Sequence, residues 1–239
     1  MPLTKEIKPM NAHYLRSYKH QQQGFTLVEI GIVLLIIGLL LGGVLKGQEL
    51  VESARVKNAA SMFNSVAAAV NGYRDRYRNL PGDDCCVVSK SARSTTWATA
   101  MNGTGQNTAA SGFIDDATVA AWGAWNGWQH VTFWLDLYAS GFLSGNISAR
   151  DASVFPKHPW GGSFDIVAVG SVYGLPTNTL VGCMNSVPGK AAVQLDTSLD
   201  DGNPSTGSVR ATVATLPSAA VPGITTYSED SIYMICKPL

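Results

Sequence analysis

Residues 24–45 read GFTLVEIGIVLLIIGLLLGGVL. From Ile30 to Leu45 the chain runs for sixteen residues without a charge, and from Phe25 to Leu45 only Glu29 interrupts the apolar series. A helix of about 20 such residues spans the hydrocarbon core of a bilayer. The flanks give the segment a direction. Residues 1–24 carry Lys5, Lys8, Arg16 and Lys19 against Glu6, a balance of +3, whereas residues 81–239 carry seven basic and twelve acidic residues, a balance of −5. Basic residues stay on the cytoplasmic side, so the expected topology is a cytoplasmic N-terminus and an exported acidic body. A removable secretory signal would end in a small-residue cleavage site after the apolar run. Here GGVLKGQELVE follows, which predicts that the apolar segment is retained. Glu29 demands more. A carboxylate inside a membrane helix costs roughly 2.5–3.5 kcal/mol on insertion scales and calls for a partner. The nearest candidate cation would be a free amine made by cutting the chain just before Phe25.

Gly24-Phe25-Thr26-Leu27-Val28-Glu29, followed by the uncharged run, resembles the class III signal of type IV prepilins and type II secretion pseudopilins. The resemblance implies cleavage between Gly24 and Phe25 by a prepilin peptidase, N-methylation of Phe25, and retention of the apolar segment. It makes Glu29 the assembly charge, paired with the methylated amine of a neighbouring subunit. It further implies that the partners are other pilin subunits, the peptidase, an inner-membrane assembly platform and membrane lipid. The long leader is similar to that of class b pilins and the Phe to that of class a pilins and pseudopilins. The expected role is a structural subunit of a type IV pilus, in particular a minor pilin, with a secretion pseudopilin or a class b major pilin as the alternatives. The chain would be a single-pass inner-membrane protein with a periplasmic head, passing into a surface pilus or a periplasmic pseudopilus. Gly38 and Gly42 form a small-xxx-small pair that lets membrane helices approach closely, and Gly43 and Gly47 form another.

Beyond Lys46, Val56, Ala59, Phe63, Val66, Val70, Tyr73 and Tyr77 recur at alternating spacings of three and four, with polar residues between them. This seam predicts that one helix continues to about Leu80, where Pro81-Gly82 stops it. At 1.5 Å per residue such a helix measures about 80 Å, so its lower half lies outside lipid and packs on the body. Arg74, Arg76 and Arg78 suit a solvated helix end and its dipole, and no nucleic-acid partner is expected.

The predicted class is α+β, a long N-terminal helix laid on a C-terminal antiparallel sheet, which is also what the family resemblance implies. Residues 1–24 form a leader, 25–80 the helix (transmembrane over about 25–45, amphipathic over 46–80), and 81–239 the head. Within the head, residues 83–112 have the composition of an exposed loop. Val131, Trp134, Leu135, Tyr138 and Phe142 share one helical face, predicting a short helix ended by Gly141 or Gly145. Four tryptophans between Trp122 and Trp134 are read as core, with an exposed aromatic patch as the alternative. From residue 163 the period becomes two, and strands are predicted over Phe164–Val169, Leu180–Met184, Ala191–Leu195, Val209–Thr215 and Ser231–Lys237.

The cysteines are Cys85, Cys86, Cys183 and Cys236, an even set that predicts disulfides in an exported domain. Adjacent cysteines seldom pair, so Cys85 and Cys86 are each expected to reach Cys183 or Cys236, with both connectivities open. No C-x-x-C spacing supports a metal site. Asp196, Asp200 and Asp201 in DTSLDDGNPSTG are weak calcium candidates, since Asp-Gly and Asn-Pro are ordinary turn residues. No cofactor is expected.

Composition narrows the remaining classes. Charged residues make up 14% of the 239 and balance to zero, against about 25% charged in an average soluble domain. Hydrophobic residues at 46% exclude a disordered chain. Without a G-x-S-x-G, H-E-x-x-H or Walker A pattern, and with His130 and His158 alone beyond the leader, an enzyme is not expected.

Overall fold

No proline interrupts residues 25–80, and leucine, isoleucine, valine and alanine fill them. In a computed structural model they form one α-helix, α1, Leu27–Tyr77. The structure describes residues 24–102, 110–114, 128–149, 151–168, 172–177, 179–214, 217 and 221–239. Arg78 ends α1 in the left-handed region at φ 62°, its amide donating to the Arg74 carbonyl at 2.8 Å, before Pro81 forbids another turn. The chain divides into two compact units, Met1–Gly47 and Gln48–Leu239. In the first, the apolar residues of α1 from Leu27 to Leu45 are exposed all round. In the second, the seam is buried as the spacing predicts: Val56, Ala59, Phe63, Val66, Val70 and Tyr73 are covered, with Ala69 beside them and Tyr77 partly buried.

What covers the seam is an antiparallel sheet, four-stranded among the described residues, in the order β1-β2-β4-β3. The strands are β1 Phe164–Val167, β2 Val181–Pro188, β3 Arg210–Thr212 and β4 Ile232–Pro238. Alternation sorts their side chains. Phe164, Ile166, Met184, Tyr233 and Ile235 join the α1 seam in one core, and Val167, Val181, Cys183, Met234 and Cys236 form a second cluster with Val172, Tyr173 and Leu175. Phe63 meets Phe164 edge-on, ring centroids 5.1 Å apart. Near the upper end of the seam the Trp160 indole N–H donates to Glu52 at 2.7 Å.

Three expectations need correction. Residues 191–195 are not a strand but part of a helix, α5, Gly189–Leu199. Its buried residues Ala191, Ala192, Leu195 and Asp196 follow helical spacing, and Ala, Gln and Leu are good helix formers; a five-residue window reads equally well at period two. Residues 83–112 are not simply an exposed loop. They hold two short helices, α2 Val87–Ser91 and α3 Thr95–Met101, the latter capped by Ser94 and burying Trp97, Ala100 and Met101. The Trp-rich segment gives α4, Trp128–Ala139, which turns out through Gly141 at φ 81°. Its Val131, Phe133, Trp134, Leu135, Leu137 and Tyr138 are all buried, so it is covered on more than the single face expected. Phe142, predicted to lie on that helix, lies beyond it and reaches back over Gly72, where a Cβ would come within 2.7 Å of its ring. Gly72 is therefore an opening in the seam for an aromatic side chain.

Phe63→Ala in the unit Gln48–Leu239 should lower stability by about 3–5 kcal/mol, whereas Asn64→Ala on the exposed face should stay within about 0.5 kcal/mol, both by chemical denaturation.

Candidate functional site

The first turn of α1 is built from Thr26-Leu27-Val28-Glu29. The Thr26 amide and hydroxyl both donate to the Glu29 carboxylate at 2.8 Å, and the Glu29 amide donates back to the Thr26 hydroxyl at 3.3 Å. This is a capping box, in which two amides left open by the helix end are satisfied reciprocally. The Thr-x-x-Glu spacing announces it in sequence, a signal overlooked while Glu29 was read solely as an assembly charge. Glu29 thus caps the helix in the single chain, holding its start one residue after Phe25. Gly24 and Phe25 precede the helix, Phe25 82% exposed and Gly24 with open space about it. A Cβ at Gly38 or Gly42 would meet nothing within 4 Å, so the fold of the single chain gives neither glycine a reason. Residues 1–23, the rest of the expected leader, lie outside the described residues.

The other end of α1 carries a polar clasp that sequence reading missed. Tyr73, fully buried, donates its hydroxyl to Asp84 at 2.8 Å, and Asn79 and Arg93 donate to the same carboxylate at 3.0 and 2.8 Å. Arg93 also lies over the rings of Tyr77 and Trp97, 4.6 and 4.7 Å from their centroids. Asp83 accepts from the amides of Ser111 and Gly112. Lys90 reaches Asp136 of α4 at 2.9 and 3.0 Å, both side chains buried, and the Gly82 amide donates to the same carboxylate at 2.8 Å. Burial pushes the Asp136 carboxyl up to about 6, against the downward pull of Lys90 and the Gly82 amide. Burial likewise drives the Tyr73 hydroxyl well above the tyrosine range, assisted by Asp136 and Asp84. Because Lys90 and Asp136 are 46 residues apart, no local pattern could have joined them.

The cysteines depart from expectation. Cys183 is bonded to Cys236, its direct opposite in the β2–β4 ladder, with Cα atoms 4.1 Å apart. Neither Cys85 nor Cys86 reaches the sheet pair. Strand register decided the matter: once β2 and β4 align, each sheet cysteine has the other as its nearest sulfur. Cys85 and Cys86 lie in the link from α1 to α2, half-buried, with the Cys86 thiol donating to the Cys85 sulfur at 2.8 Å. That bond raises the Cys86 thiol above the usual range, burial adding to it.

Asp196, Asp200 and Asp201 bring one carboxylate oxygen each within 4.8 Å of the others. Tyr227 and the Gly202 amide donate to Asp196, the Ser208 and Val209 amides to Asp200, and Thr206 and the Asn203 amide to Asp201. Each acid thus also closes part of the 196–209 turn. Of the clustered tryptophans, Trp122 and Trp125 lie outside the described residues, and Trp134 is buried, donating to Asp165 at 2.9 Å.

Two predictions follow from the clasp. Lys90→Met should cost about 3–5 kcal/mol by stranding the Asp136 carboxylate, and adding Asp136→Leu should recover most of it in denaturant unfolding. The pH response has a defined sign. Asp136 titrates at about 6 when folded, above its ordinary 3.8, so between these values the folded chain holds a proton that the unfolded chain has released. Its contribution, complete below 3.8, declines as pH rises through about 6, and Asp136→Asn should remove that decline from thermal midpoints measured across the window.

Comparison with known families matches residues 19–45 to the prokaryotic N-terminal methylation motif. No curated protein sequence matches the chain. The match takes in Lys19 at the end of the basic flank, the Gly24–Phe25 junction, the capping box and the exposed apolar half of α1, a helix long and apolar enough to cross a membrane. The chain thus carries the methylation motif at the start of a long apolar helix that an antiparallel sheet follows in sequence, features that support a place in the type IV pilin and pseudopilin family.

Proposed function

We propose that this chain is a structural subunit of a type IV pilus, a minor pilin rather than the principal fibre protein, and not an enzyme. A prepilin peptidase removes residues 1–24, Phe25 is N-methylated, and residues 25–45 hold the chain in the inner membrane with residues 81–239 on the far side. Assembly partners draw that helix out of lipid and into a bundle of like helices. The observation that carries this reading is Glu29, an acid in the first turn of a helix that is otherwise apolar and uncharged as far as Leu45, inside the methylation-motif match.

The physics follows from its surroundings. In the single chain the Glu29 carboxylate accepts from the Thr26 amide and hydroxyl, and it is exposed at the helix start. Bringing it into a helix bundle removes water from a charge, which is costly unless a cation arrives with it. The methylated amine of a neighbour's Phe25 supplies that cation, and because both charges sit at the same end of identical helices, their pairing sets an axial offset between subunits. Gly38 and Gly42, unexplained by the chain's own packing, support close approach of neighbouring helices. The boundary between the compact units at Gly47 and Gln48 supports the division near residue 45. The large, Trp-rich head supports a minor rather than a major role.

Glu29→Leu should stay in the membrane fraction yet fail to enter fibres, and normal fibres built from it would refute the charge pairing. Gly24→Ala should retain the leader, read as an intact mass larger by 24 residues. Sheared fibres dominated by this chain would overturn the minor role, and loss of secretion without surface fibres would move it to a pseudopilus.

A further inference from the structure

The four cysteines divide into two pairs of unlike construction. Cys183 and Cys236 are fully buried in the sheet and bonded across it. Cys85 and Cys86 are consecutive, half-buried, and have sulfurs 2.8 Å apart. That is well inside the about 3.5–4.0 Å of touching non-bonded carbons and beyond the about 2.05 Å of a disulfide.

Such an approach needs a special backbone. In extended chain, consecutive side chains point to opposite faces and their ends diverge. Cys86 instead takes φ 72°, in the left-handed region that a residue with a Cβ seldom adopts. This turns its side chain back toward that of Cys85. The conformation is held from both sides. Asp84, immediately before, is gripped by Tyr73, Asn79 and Arg93. Immediately after, the Cys86 carbonyl accepts from the Lys90 amide at 3.0 Å, and the Lys90 ammonium is fastened to Asp136. Two buried anchors, one reaching α1 and the other α4, therefore hold the dipeptide with its sulfurs together.

We propose that Cys85 and Cys86 close into a vicinal disulfide, a ring through the peptide between them, that a dithiol can reopen while Cys183–Cys236 stays bonded. Closure proceeds by exchange with a disulfide-bearing oxidant. One cysteine thiolate attacks a sulfur of the oxidant and displaces its other sulfur as thiolate, leaving a mixed disulfide. The second cysteine thiolate then attacks the first cysteine's sulfur and expels the remaining oxidant thiolate. The protein dithiol is oxidised by two electrons, the oxidant is reduced to its dithiol, and the two cysteine protons end on the oxidant's sulfurs. Reopening is the reverse, with a dithiol reductant. Access separates the two bridges: Cys85 and Cys86 are partly open to solvent, and the sheet pair is wholly covered.

The proposal rests on the exported head, since exchange oxidants of this kind act outside the cytosol. The test uses the full chain, alkylated with N-ethylmaleimide in intact cells, extracted in detergent and digested without reduction. The peptide holding Cys85 and Cys86 should carry no maleimide and be two hydrogens lighter than its dithiol form. Mild phosphine treatment of the native protein before alkylation should then add two maleimides to it and none to Cys183 or Cys236. The Cys85→Ser variant should present Cys86 for one maleimide without prior reduction. Labelling of Cys85 and Cys86 in cells while Cys183–Cys236 remains bonded would overturn the ring alone. So would a peptide joining either residue to a second chain. Labelling of all four cysteines would overturn the exported-head reading and the ring with it.

Discussion

The seam of α1 from Val56 to Tyr73 closes the sheet. Without it, Phe164, Ile166, Met184 and Ile235 would face water on one side, and a sheet of this size needs a covered face to be stable on its own. The same helix is asked to do something different in its other half. From Leu27 to Leu45 apolar residues cover its whole circumference, so no single face can be hidden against one partner. A helix apolar all round belongs in lipid or among other helices, and one apolar along a stripe belongs on a core. Both patterns occur in a single uninterrupted element, with the change of pattern near Gly47.

The end of the seam is fastened by charge rather than by further apolar area. Asp84, Lys90 and Asp136 are buried together with Tyr73, and the costs of burying them are offset only because nearly every polar atom of the group is shared among them. Apolar side chains of similar volume could give comparable stability. What the clasp adds is direction: carboxylates and an ammonium accept few geometries, so the chain leaving α1 is led past Asp83 and Asp84 into α2 along one route. The backbone at Cys86 is held out of its ordinary region within the same route, so the clasp and the sulfur contact are parts of one construction.

Much of the fold was legible in residue spacing. The alternation of three and four placed the buried face of α1 almost residue for residue, and period two located β1, β2, β3 and β4, because both patterns report which side of one element meets the core. Windows as short as Ala191–Leu195 fit either period, and there helix propensity and the position after Pro188 prevailed. Residues 94–101 misled through their polar composition. Trp97, packed against Tyr73 and Tyr77, is buried there together with Ala100 and Met101. At the site itself, the Gly-Phe junction and Glu29 were plain in sequence. The Thr26 cap was equally local and readable, yet Glu29 drew notice only as a charge in an apolar run.

Sequence alone determined the long helix, the apolar run with its single acid, and the change to strand periodicity, since each is written within one stretch of chain. Only the tertiary structure decided which sulfurs meet, where Lys90 finds its carboxylate, and which ring lies over Gly72. Those outcomes depend on strand register and on packing between segments tens of residues apart, and neither leaves a mark on the local order of residues.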